Sequence, residues 1–105
     1  KLVDTRVGVE GLGNIVPDQF YLLQNYPNPF NPSTKITFAL PQSGNVTLAV
    51  YDNSGKIVQT LLNNENRSSG TYTKDFNAVN LSSGVYYYKL VTNSFSETKK
   101  MLLVK

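Results

Sequence analysis

The feature that most constrains this chain is a period-two alternation that keeps restarting. In residues 85–92, Tyr86, Tyr88 and Leu90 fall on one face, and Val85, Tyr87, Lys89 and Val91 on the other. Side chains alternate across a strand, so a period of two with one apolar face marks a half-buried strand. Residues 35–40 repeat the pattern, with Ile36, Phe38 and Leu40 against Lys35, Thr37 and Ala39. Residues 46–51 set Val46, Leu48 and Val50 against Thr47, Ala49 and Tyr51. Residues 71–77 put Tyr72 and Phe76 on a common face, and residues 95–104 put Met101 and Leu103 opposite Lys100, Leu102 and Val104. Residues 18–23 (DQFYLL) read as an opening strand. In residues 56–62 either Ile57, Gln59 and Leu61 or Val58, Thr60 and Leu62 can face inward; each set has a polar member, so periodicity leaves both open.

Turn chemistry separates these runs. PQSG (residues 41–44), DNSG (52–55), NLSSG (80–84) and Asn93 with Ser94 are turn signals, and NNENRSSG (63–70) reads as a polar loop. DNSG closes a hairpin between residues 46–51 and 56–62, with Asn53 or Gly55 supplying the positive φ. Seven short strands at intervals of roughly ten residues predict a sandwich or small barrel. The expected fold is therefore all-β and antiparallel. Helix formers are scarce, with alanine only at positions 39, 49 and 78. A length of 105 residues suits one domain. Residues 1–16 are expected to be a linker or a leading strand, with Val3, Thr5, Val7 and Val9 on one side and Gly8, Gly11 and Gly13 breaking the pattern; residues 17–105 are the domain. No apolar run approaches the ~20 residues of a membrane-spanning helix, so membrane insertion is not expected.

The residues present are poorly suited to chemistry. The chain has no His and no Cys, which removes the commonest general base, a Ser-His-Asp triad, thiolate metal sites and disulfides. Its seven carboxylates are Asp4, Glu10, Asp18, Asp52, Glu65, Asp75 and Glu97; none is paired at helical spacing, and several fall in turns. A glycosidase needs two carboxylates held across a cleft. A Ser-Lys dyad would need a buried Lys74 or Lys89, and both sit mid-strand where a solvated face is expected. DNSG lacks the closing bidentate glutamate of a calcium loop, and Gly8, Gly11 and Gly13 do not give the nucleotide-binding glycine spacing. The net charge of +3 is spread thinly, unlike the basic stripe of a nucleic-acid binder. Tyr86, Tyr87 and Tyr88 cannot form one stacking platform, because alternation turns Tyr87 away. No enzyme, cofactor or metal is expected.

The segment that departs from the alternation is residues 24–34, QNYPNPFNPST. Pro27, Pro29 and Pro32 fix φ and remove backbone donors, which excludes a central strand or a helix. Residues before proline are pushed toward extended geometry. A stiff, largely extended loop is expected, with Tyr26 and Phe30 both buried to pin it against the sandwich.

Residues 25–34 (NYPNPFNPST) resemble the opening motif of type A C-terminal sorting domains of the type IX secretion system of Gram-negative bacteria. The resemblance continues through residues 46–51, Gly55 to Val58, Gly70 with Phe76, LSSGVYYY (81–88) and TKKMLLVK (98–105), covering about residues 17–105. Phe76 stands where the family often has Trp. The chain is also similar to the immunoglobulin-like domain of flagellar hook-capping proteins, and the two resemblances together imply an immunoglobulin-like antiparallel β-sandwich of about seven strands. The resemblance implies a cargo that crosses the inner membrane by the general secretory route. The folded C-terminal domain is then recognised by the outer-membrane machinery, and the cargo ends at the cell surface or is secreted. In many members the domain is cleaved off and the cargo is fixed to lipopolysaccharide or released. The implied partners are that machinery and an upstream cargo domain, with self-association a further expectation.

Recognition is expected to involve the final strand, with Lys99, Lys100 and Lys105 offering positive charge and main-chain donors at an exposed edge. Tyr26, Pro27, Asn28, Pro29, Phe30, Asn31 and Pro32 either contribute directly or hold the fold. Two other readings fit the composition: a filament subunit that donates residues 1–10 as a strand to a neighbour, and a carbohydrate-binding module.

Overall fold

The computed structural model describes residues 16–105; the leading-strand reading of residues 1–15, and with it the donor-strand alternative, lies outside the described residues. The alternating segments become seven strands: β1 (Tyr21–Leu22), β2 (Ser33–Leu40), β3 (Gly44–Tyr51), β4 (Ile57–Arg67), β5 (Gly70–Asn77), β6 (Gly84–Val91) and β7 (Ser96–Leu103). They form two antiparallel sheets, β1-β2-β5 and β4-β3-β6-β7. The chain crosses between sheets after β2, after β4 and after β5, so each sheet's apolar face is built from distant segments.

The core lies between the sheets and is made of the faces that alternation assigns inward. Ile36, Phe38 and Leu40 of β2 and Phe76 of β5 meet Val46, Leu48 and Val50 of β3, Tyr86, Tyr88 and Leu90 of β6, and Met101 and Leu103 of β7. Burying an aliphatic or aromatic side chain is worth about 1.5–3 kcal/mol relative to exposure, so these contacts dominate the stability. The two buried tyrosines keep their hydroxyls paired: Tyr86 donates to the Ser82 carbonyl at 2.7 Å and Tyr88 to the Leu23 carbonyl at 2.6 Å. Deep burial makes such pairing obligatory. Burial, reinforced by the negative charge of Glu97, pushes the Tyr88 phenol up to about 12.

The structure corrects three expectations about elements. Residues 63–67 are strand, not loop: β4 runs on to Arg67, pairing Arg67 with Gly44, Asn66 with Asn45 and Glu65 with Val46. Polar side chains suit an outer edge strand, and here they bond one another, Arg67 to Glu65 at 2.7 Å and Asn66 to Asn45 at 3.2 Å. Within β4 neither alternating set faces inward cleanly; Leu62 is buried, Val58 half-buried and Thr60 exposed, because register shifts interrupt the ladder with β3. The opening strand shrinks to Tyr21–Leu22. Phe20 leaves the sheet to stack on Phe95 at 5.2 Å, and the Leu23 carbonyl turns to Tyr88.

The 52–55 turn forms as the sequence requires, with Gly55 at φ 89°. Asp52 Oδ1 accepts hydrogen bonds from the Ser54 amide, the Ser54 hydroxyl and the Lys56 amide at 2.7–3.0 Å. The Ser54 hydroxyl and then the Lys56 amide lower the Asp52 carboxyl below its usual range.

Candidate functional site

The proline-rich segment and the end of β7 meet at one edge of the sandwich. The segment is not extended. Its base is closed by a reciprocal backbone pair, Tyr26 N to Lys35 O at 3.1 Å and Lys35 N to Tyr26 O at 3.0 Å. Between these it bends across to the other sheet and back, and the bonds before Pro27, Pro29 and Pro32 are all cis. The cause of the bending is its midpoint. Phe30 bridges Leu103 in the parallel sense, its amide donating to the Leu102 carbonyl at 2.9 Å and its carbonyl accepting from the Val104 amide at 3.0 Å.

The outer edge of β7 is therefore occupied along its last residues. Asn28 Oδ1 accepts from the Leu102 amide at 3.0 Å, standing in for a backbone carbonyl. Gln24 Nε2 donates to the Lys100 carbonyl at 2.6 Å. A bare strand edge invites pairing with another chain, and a covering loop is one of the ways such edges are blunted. The expected array of open main-chain donors at the end of the last strand is instead satisfied within the molecule.

The segment has two faces. Inward, Phe30 is only 2% exposed and tilts against Phe76 at 6.0 Å. Asn25 and Thr34 are the buried polar residues among those described. Asn25 Nδ2 donates to the Pro27 carbonyl at 3.1 Å and to Thr34 Oγ1 at 3.0 Å, while Thr34 Oγ1 donates to the Pro27 carbonyl at 2.8 Å. Gln24 Nε2 also donates to Asn25 Oδ1 at 2.7 Å. This small network holds a turn whose three prolines contribute no amide donors. Outward, Tyr26 is 80% exposed, contrary to the expectation that it would be buried with Phe30; Phe30 alone reaches the core. Pro27, Asn28, Pro29 and Asn31 are exposed and Pro32 half-buried, its carbonyl accepting from the Ala78 amide at 2.8 Å. Tyr26 and Pro27 border an open groove of about 550 Å³ that continues over Ser33, Lys35, Asp75 and Asn77. Lys35 and Asp75 pair across it at 2.6 Å, both well exposed, which makes the pair worth little energetically.

The three lysines do not form one cluster. Lys99 lies opposite Tyr88 on the inward side of β7 and pairs with Glu97 at 3.4 Å. Lys100 faces outward opposite Tyr87. Lys105 turns back, its ammonium donating to the Val79 carbonyl at 2.7 Å and its amide to the Ser83 hydroxyl oxygen at 3.0 Å. Of the three, Lys100 is the one whose backbone is bonded to the loop, its carbonyl accepting from Gln24. Residue type alone does not mark Gln24, Asn25 and Thr34 as functional; the signal in the sequence is the density of polar side chains around prolines, which must replace missing backbone donors.

Among the described residues no group of three or more acidic, His or Cys side chains is gathered in metal-binding reach. A family model described as the secretion system C-terminal sorting domain matches residues 24–105, beginning at Gln24 and running to the last residue. No curated protein matches the chain.

Proposed function

This chain belongs to the family of secretion-system C-terminal sorting domains, and on that premise we propose that its machinery reads the outward face of the proline-rich loop. As a member it is the C-terminal sorting signal of type IX secretion, joined to an exported cargo destined for the cell surface or the medium, and it acts through the type IX machinery.

The finer reading concerns which residues are read. The observation that carries it is the division of the loop, with Phe30 2% and Tyr26 80% exposed. An exposed aromatic on a loop held by buried anchors is a good contact residue, since tyrosine is enriched where binding energy concentrates. Its rigidity lowers the ordering cost on docking. Tyr26, Pro27, Pro29 and Asn31 form the contacted face in this reading, with Lys100 at its margin. Phe30 and Asn28 serve by holding it, and Lys99 and Lys105 are engaged within the domain.

The test fuses residues 1–105 to a periplasmic reporter in a type IX-competent host. Tyr26→Ala combined with Pro29→Ala should lower export at least tenfold while leaving thermal unfolding of the purified protein within a few degrees of the parent. Export at the parent level would refute the reading.

A further inference from the structure

The end of the chain reaches the loop through a specific set of bonds. Asn28 Oδ1, the Phe30 amide and the Phe30 carbonyl engage, in turn, the Leu102 amide, the Leu102 carbonyl and the Val104 amide, at 2.9–3.0 Å. The loop behaves as a short extra strand on β7, and all three of these bonds lie at or beyond Leu102. Beneath it, Phe30 and Leu103 are both core residues. A loop with three prolines has few amides with which to hold itself, so its shape depends on these partners.

We infer that the last residues, from Leu102 to Lys105, act as a clasp that positions the loop, and that Asn28 is the positioning residue on the loop side. The terminus is required for export because it orders the face carrying Tyr26, not because the machinery touches the terminus. This rests on the reading that the loop face is what docks. It also makes the signal conditional: β7 is the last strand in the sequence, so the loop face exists only once the final strand has paired with β6. A chain truncated or unfolded at its end would present no ordered address.

The chain has no Trp, so Tyr26→Trp introduces a lone indole on the loop, excited apart from the remaining tyrosines and for use in spectroscopy only. In this background, deletion of Val104 and Lys105, and separately Asn28→Ala, should lower the fluorescence anisotropy of the indole, while far-UV circular dichroism keeps its β signature. Asn28→Asp preserves the acceptor oxygen and should restore anisotropy to the parent value. In the parent background carrying Tyr26, export of the reporter fusion should fall at least tenfold with the deletion and with Asn28→Ala, and return with Asn28→Asp. If the deletion proves too unstable to fold, the Asn28 pair carries the test alone.

An ordered loop with lost export in the deletion would overturn the inference, since the terminus would then be read directly. Equal behaviour of Asn28→Ala and Asn28→Asp would also overturn it. A disordered loop with unimpaired export would leave the clasp standing and overturn the proposal that the loop face is read.

Discussion

The chain reverses at residues 52–56 and again at residues 26–35, and it does so by opposite means. The first turn is self-contained. Asp52 supplies the acceptor for Ser54 and Lys56, the Gly55 amide donates to the Asp52 carbonyl at 3.0 Å, and Gly55 takes the positive φ. The second is bonded locally only at its base, through Tyr26 with Lys35 and Asn25 with Thr34; beyond that it is held from far away, with Gln24 bonding Lys100 and Asn28 bonding Leu102 at sequence separations of 76 and 74 residues. A turn with local bonds is punctuation and forms wherever the chain passes. A loop with remote bonds has its shape only in the completed fold. If the loop face is what the machinery reads, as proposed, that difference has a use, because a signal that depends on tertiary structure distinguishes a finished domain from an unfinished one.

Substitutions can break this contrast in graded steps. Phe30→Ala should have the largest effect. A phenylalanine lost from a core costs about 3–5 kcal/mol, and here it also releases the loop from Leu103. Chemical denaturation would show the loss, and Phe30→Leu should recover most of it.

Alkali should act next, and on the remotely held region. The Tyr88 phenol donates to Leu23, just before the loop, and its pKa is raised to about 12. An acid whose folded pKa lies above its unfolded value stabilises the fold fully below the unfolded value, near 10. That contribution is lost as pH rises from there through 12. Stability measured from pH 9 to 12 should fall in the parent, and Tyr88→Phe should flatten the dependence.

Asn25→Ala removes the donor that ties Pro27 to Thr34 in a buried site, at a cost of about 1–3 kcal/mol. It should reduce export as well as stability, whereas Asn25→Asp, lacking the amide donor, should not rescue it. The smallest effect belongs to Asp52→Ala. Because hydrogen bonding depresses the Asp52 carboxyl, its contribution is present above the ordinary carboxylate range and fades as pH falls through the lowered value. The variant should lose that acid sensitivity, retain export, and leave the loop unperturbed.

The same contrast explains what could be read from the sequence. The strands of the core were legible because a period of two depends on local order alone: Ile36, Phe38 and Leu40, or Tyr86, Tyr88 and Leu90, turn inward together. The turn at Asp52 was legible for the same reason. Residues 63–67 were not, because polar composition cannot distinguish a loop from an edge strand, and the pairing of Asn66 with Asn45 depends on a partner strand. Aromaticity alone predicts a buried Tyr26, yet it is exposed. Which of two aromatics in a bent loop reaches the interior is decided by where β7 lies, and that is set by the other sheet. The motif itself flagged the loop, but the joining of Asn28 and Phe30 to the chain's end is a tertiary fact with no local signature.

Amide hydrogen exchange tests the central claim most directly. The Phe30 and Lys56 amides should both be protected in the full chain. Removal of Val104 and Lys105 should strip protection from Phe30 while Lys56, bonded to Asp52, exchanges as before. Retained protection at Phe30 in the shortened chain would contradict the account, since the loop would then hold its shape without the terminus.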